Sequence, residues 1–150
     1  MFRLKSVLHG LLQLGMLTAV VTQLSCNGNQ IGPCVHIYKE PILHIESVQN
    51  SKTGAGILTI TLTNIMIDTL EANLLSLIAE SKGVAVLDSC LVCNPPCSFG
   101  TQGGDYYFKV TATGYRDTVI TCHPSYSIVH GGCPSSSDGG LRINIAMEPI

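Results

Sequence analysis

The chain has 150 residues, with eight Lys and Arg against ten Asp and Glu and a formal charge of -2. So sparse and weakly acidic a charge set speaks against a nucleic-acid partner, because that binding draws on clustered cations that neutralise phosphates. No Asn-x-Ser/Thr acceptor occurs, and the richness in Ile, Leu, Val, Thr and Gly without Trp points to short strands joined by turns.

The N-terminus has the layout of a secretory signal: Arg3 and Lys5, an apolar run from Val7 to Val21, then Thr22-Gln23-Leu24-Ser25-Cys26. His9 and Gln13 interrupt that run, which falls short of the about 20 residues of a transmembrane helix. Leu24-Ser25-Cys26 resembles a bacterial lipoprotein lipobox, with Gln23 where Leu is usual. The resemblance implies cleavage before Cys26 and acylation of its thiol by palmitate-type chains. It also implies a membrane-anchored place at a bacterial cell envelope, periplasmic or surface-exposed. An ordinary signal peptide cut nearby is the alternative, and leaves Cys26 a plain thiol. Residues 1–25 are thus read as the signal peptide and 26–33 as a polar, flexible tether. Residues 34–150 are left for a single domain, enough chain for one real core and too little for two. Losing Arg3 and Lys5 leaves six basic against ten acidic residues, a formal charge of -4.

Seven cysteines occur, and setting Cys26 aside leaves an even set that an oxidising compartment can pair: Cys34, Cys90, Cys93, Cys97, Cys122 and Cys133. Cys122 with Cys133, separated by a loop between strands, is the favoured single pairing. In the cluster Cys90-Leu-Val-Cys93-Asn-Pro-Pro-Cys97, the Asn94-Pro95-Pro96 turn is stiff and suits a bridge. The competing reading is a tetrahedral zinc site drawing on this cluster with Cys122-His123, His130 and Cys133. A thiol oxidoreductase fits worse, since Cys90 and Cys93 follow a β-rich run and precede a double proline, not a helix N-terminus. The expectation is disulfides, with no metal and no cofactor.

Along the domain, residues 42–49 read as a strand, and Asn50-Ser51-Lys52-Thr53-Gly54 supplies turn chemistry. From Ile57 to Thr63 the alternation is clear, with Leu58, Ile60 and Leu62 on one face and threonines on the other. Leu70, Leu74, Leu77 and Ile78 recur at helical spacing after the capping-box form Asp68-Thr69-Leu70-Glu71, and Lys82-Gly83 suits a helix stop. A short helix over residues 69–82 is predicted, with a strand from Asn73 to Glu80 as its competitor. Further strands are expected at Gly83–Leu87, Asp105–Thr113, Asp117–Cys122 and Leu141–Met147. The fold class that follows is mostly β, an antiparallel β-sandwich with one short helix.

Gly104-Asp-Tyr-Tyr-Phe-Lys-Val-Thr-Ala-Thr-Gly-Tyr115 resembles the G-x-Y-x-F-x-V-x-A-x-G-Y strand of carboxypeptidase regulatory-like domains, a transthyretin-like sandwich family. Independently of the name, Tyr106, Phe108, Val110 and Ala112 taper from large to small along one face, and Gly114 permits the turn that follows. Val48 to Ile57 resembles the family's opening hairpin, with Gly56 where Pro is usual, and Leu141 to Pro149 resembles its closing strand. Residues 68–103 have no counterpart. The resemblance implies an antiparallel β-sandwich of transthyretin-like or immunoglobulin-like type with about seven strands, and a non-catalytic module, a rigid scaffold whose loops hold something. His-Glu-x-x-His and His-x-x-Glu zinc motifs are absent, so the peptidase role of the family's companion domains does not carry over.

There is no Gly-x-Ser-x-Gly elbow to seat a nucleophile, and His36, His44, His123 and His130 are scattered. Tyr126 to Gly140 is long and polar, either a bridged surface loop or a recognition loop carrying Tyr126, His130 and Asp138. The sequence therefore predicts a non-enzymatic binding or structural module whose partner is a protein or a glycan.

Overall fold

Where apolar residues alternate with polar ones, the backbone extends and buries one face, and most of the domain is made this way. The computed structural model describes residues 33–150, so the signal peptide, Cys26 and most of the tether lie outside the described residues. The described chain is mostly β, a sandwich with one short helix. In chain order its elements are β1 (His36–Tyr38), β2 (Leu43–Asn50), β3 (Ile60–Ile67), β4 (Leu70–Glu71), α1 (Leu74–Leu77), β5 (Lys82–Leu87) and β6 (Cys90–Phe99). They continue with β7 (Tyr106–Thr111), β8 (Thr118–Cys122), β9 (Ile128–His130), β10 (Ser135–Asp138) and β11 (Leu141–Met147).

The main sheet has the order β11-β2-β6-β3-β7-β8, with β4 added to β3 and β5 to β6. β6 serves both layers. Its first half, Leu91–Cys93, pairs with Ile60–Leu62 of β3, and its second half, Cys97–Phe99, pairs with Leu43–Ile45 of β2. A strand shared in this way is how one continuous sheet folds over into two layers. The core between them includes Leu43, Ile45, Leu62, Leu91, Phe99, Phe108 and Val110, all fully buried. Phe99 and Phe108 meet edge to face at 6.1 Å. Tyr106, Phe108 and Val110 share the buried face of β7, and Gly114, at φ 83°, turns the chain after it. Ile145 and Met147 are buried from β11 while Arg142 and Asn144 are exposed, as the alternation predicts.

Several expectations are corrected. The sheet is mixed and not wholly antiparallel: β11 runs parallel to β2, and β1 runs parallel to β10 in a separate three-stranded ribbon ordered β1-β10-β9. Parallel neighbours need a long crossover, and β3 to β10 lie between β2 and β11. The helix shrinks to Leu74–Leu77, capped by the Asn73 side chain, which accepts from Leu75 N at 3.0 Å. Asp68 and Thr69, at φ 49° and 70°, form a two-residue hairpin turn between paired Ile67 and Leu70, so the apparent capping box is a β-turn. The competing strand from Asn73 to Glu80 does not form either. Leu58 is 81% exposed and precedes β3, because the buried alternation begins only at Ile60. The segment from Tyr126 to Gly140 is not irregular loop: β9 and β10 pair antiparallel within it.

Candidate functional site

Two tight turns and a strand irregularity shape a concavity beside β3. The β5–β6 hairpin closes through Asp88 and Ser89, at φ 45° and 63°, between paired Leu87 and Cys90. Both central residues are left-handed, the geometry that matches strand twist in two-residue hairpins. The β3–β4 hairpin turns at Asp68-Thr69 and folds α1 back beside β3. Within β3 the register against β7 shifts between Thr63 and Met66, and Asn64 sits at φ 51° in that irregularity. Left-handed non-glycine residues are uncommon, and those at Asn64, Asp88 and Ser89 all face one cleft.

That cleft measures about 790 Å3. Leu62, Ile65, Leu74 and Val86 give it an apolar lining, while Thr63, Asn64, Glu71, Asp88, Ser89 and Cys90 add polar groups. The Thr63 hydroxyl oxygen beside it is buried without a hydrogen-bond partner. Cys90 is engaged locally, its thiol donating to Leu87 O at 2.7 Å. A volume of this order lies in the range of small-molecule sites, about 300–1,000 Å3. The arrangement can hold an apolar group against Leu74 and Val86 while Asn64 and Ser89 hydrogen-bond at the rim. A shallower groove of about 460 Å3, lined by Thr59, Thr61, Thr111 and Thr113 with exposed Leu58, lies across the ends of β3 and β7.

The cysteines sort differently from the even pairing expected. Cys93 and Cys97 are joined by a disulfide, Cα atoms 6.0 Å apart, across Asn94-Pro95-Pro96 in the middle of β6. Cys34, Cys90, Cys122 and Cys133 are thiols. The favoured Cys122–Cys133 bridge is not formed: Cys122 faces Tyr106 across β7 and β8, whereas Cys133 lies beside Cys34 at the end of the ribbon. Burial pushes the Cys122 thiol up from its ordinary range. With Cys93 and Cys97 bridged, the cluster cannot offer its thiolates to zinc, and among the described residues no three His, Cys, Asp or Glu side chains converge as metal ligands.

The recognition residues separate likewise. Tyr126 is half-buried at the root of the ribbon, donating to Glu40 O at 3.1 Å and stacking on Tyr38 at 5.7 Å. His130 is exposed at the end of β9, and Asp138 ends β10 with its carboxylate accepting from Gly139 N at 2.9 Å. Tyr126 is therefore a fixed anchor, and His130 stands apart from it. The cleft was missed in the sequence because its turns lack the Asn-Gly or Asp-Gly pair that announces a two-residue hairpin.

Comparison of the chain with protein-family models, curated proteins and solved structures found no match.

Proposed function

We propose that this chain is a non-enzymatic, lipid-tethered module of a bacterial cell envelope, a binding or structural protein resembling carboxypeptidase regulatory-like domains and anchored through Cys26. The observation that carries the reading is the Cys93–Cys97 disulfide within a domain that follows a lipobox-like leader, because such bonds persist in exported proteins and are rare in reducing cytosol. The sandwich supplies the rigid frame, and the cleft beside Thr63 and Asn64 supplies a place for a protein or glycan partner to seat one apolar group.

Intact mass of the native and the reduced protein, with sequencing of the mature N-terminus, tests this. The expected product begins at an acylated Cys26 and gains hydrogen on reduction. An unmodified N-terminus at another residue overturns the tether, and an unprocessed, fully reduced chain in the cytosol overturns the envelope placement as well.

A further inference from the structure

Away from the cleft, two of the unbridged cysteines meet at one end of the ribbon. β1 and β10 run parallel, with His36 opposite Ser135 and Ile37 opposite Ser136. Ser135 N donates to Val35 O at 3.2 Å, which carries the ladder one step further back. The step before that sets Cys34 beside Cys133. Neighbouring strands lie about 4.7–4.9 Å apart, inside the roughly 4.4–6.8 Å that a disulfide spans between Cα atoms. Cys34 Sγ donates to Gly132 O at 3.2 Å, which aims its thiol at the turn that holds Cys133. The neighbouring Cys34 side chain pushes the Cys133 thiol up from its ordinary range, and both residues are exposed, open to a soluble oxidant. Among the described residues neither remaining thiol competes: the Cys90 thiol is hydrogen-bonded to Leu87 O, and Cys122 is half-buried on β8.

We propose that Cys34 and Cys133 are the site of a second disulfide, a clasp fastening the first residue of the domain to the β9–β10 turn. The clasp rests on the reading of the chain as exported, since it needs an oxidising surrounding. In the reaction a disulfide-bearing oxidant, glutathione disulfide or an oxidised dithiol protein, is attacked by one thiolate to give a mixed disulfide and one released thiol. The second cysteine then displaces the other half. The two cysteines lose two electrons and two protons in total, and the oxidant leaves as two thiols. Cys34 and Gly132 are 98 residues apart in sequence, against 4 for Cys93 and Cys97, so the clasp restrains far more of the unfolded chain. Strain on the tether that enters at Cys34 would then pass into β10 as well as β1.

The test uses the purified full chain equilibrated in glutathione and glutathione disulfide, alkylated, digested and mapped by mass spectrometry. The expected map joins the Cys34 and Cys133 peptides and shows Cys90 and Cys122 alkylated. The oxidised chain should also unfold at higher urea than Cys34→Ser or the Cys34→Ser/Cys133→Ser double variant, with the Cys93–Cys97 peptide unchanged in all three. Alkylated Cys34 and Cys133 in a chain whose Cys93–Cys97 bond is intact overturn the clasp, and so does Cys133 joined to Cys122. The same map reads the N-terminus, so the two readings fail separately. A missing clasp on an acylated chain sinks only the clasp; a clasped chain without acyl groups sinks only the tether.

Discussion

The eight-stranded sheet and the three-stranded ribbon belong to one domain but are held by different forces. In the sheet, β2, β3, β6 and β7 contribute Ile45, Leu62, Phe99 and Phe108 to a core without solvent contact. In the ribbon, the central strand reads Ser135-Ser-Ser-Asp138, while Ile37, Ile128 and Val129 face outward. Polar ties take the place of burial. The His36 ring bonds Ser135 Oγ at 2.7 Å through Nδ1 and Ser137 Oγ at 2.8 Å through Nε2. The Glu40 carboxylate accepts from Gly139 N at 2.6 Å and Gly140 N at 3.0 Å, fixing the passage from β10 into β11. The lesson is that removing a side chain from the sheet leaves a void, whereas removing one from the ribbon leaves an unpaired polar group.

Perturbing the two regions in turn tests that contrast. Phe108→Ala in the sheet is expected to cost about 3–5 kcal/mol, read as a lower urea midpoint, since a fully buried ring leaves a cavity. Replacing Cys93 and Cys97 together by Ala is expected to cost about 2 kcal/mol by the same measurement, the chain-entropy value for so short a loop. In the ribbon, Glu40→Ala is expected to cost about 1–2 kcal/mol, because Gly140 N loses its acceptor and Gly139 N keeps only the Asp138 carboxylate. Hydrogen exchange at those two amides should quicken while Leu62 and Phe108 stay protected. A cost as large as that of Phe108→Ala would erase the distinction between the regions.

Smaller effects sharpen it. Thr69→Gly is expected to stabilise the sheet by about 0.5–1 kcal/mol, since Thr pays a steric cost at φ 70° that Gly does not. Alkaline titration separates one tyrosine on each side. Burial, then the neighbouring Tyr126, Cys122 and Asp68, lift the Tyr106 phenol far above its ordinary value. Burial, with Tyr38, Glu40 and Glu80, pushes Tyr126 up to about 12. Both ionise near pH 10 when unfolded, so the stability they lend is complete below about pH 10 and declines as pH rises toward the folded values. Tyrosinate absorbance should show Tyr126→Phe removing a step near pH 12, and Tyr106→Phe removing one that appears only as the domain unfolds.

What the sequence disclosed follows the same division. β3, β7 and β11 were legible because one face is buried and the other wet, so apolar residues fall at every second position. β6 was not, because Pro95 and Pro96 interrupt it and because Cys97, Ser98 and Phe99 are buried in succession, leaving no alternation to read. β1, β9 and β10 were too short and polar to signal strands, and their pairing is set by contacts distant in sequence. The helical spacing of Leu70, Leu74 and Leu77 held only over Leu74–Leu77, since Leu70 pairs with Ile67 in a hairpin that ends before the helix begins. Of the candidate site, the cysteine cluster was visible as a bridge-forming unit. The cleft was not, because Asp68-Thr69 and Asp88-Ser89 adopt hairpin turns with residues that seldom accept them.

The crossing point in β6 has a further consequence. Cys93 and Cys97 enclose only Asn94, Pro95 and Pro96, so a peptide cut there leaves both halves of the strand linked through sulfur. A protease reaching this corner yields a nicked but undivided molecule, and fragments part only after a reductant follows. Parting the strand at this point takes two agents in sequence, a hydrolase and then a reductant.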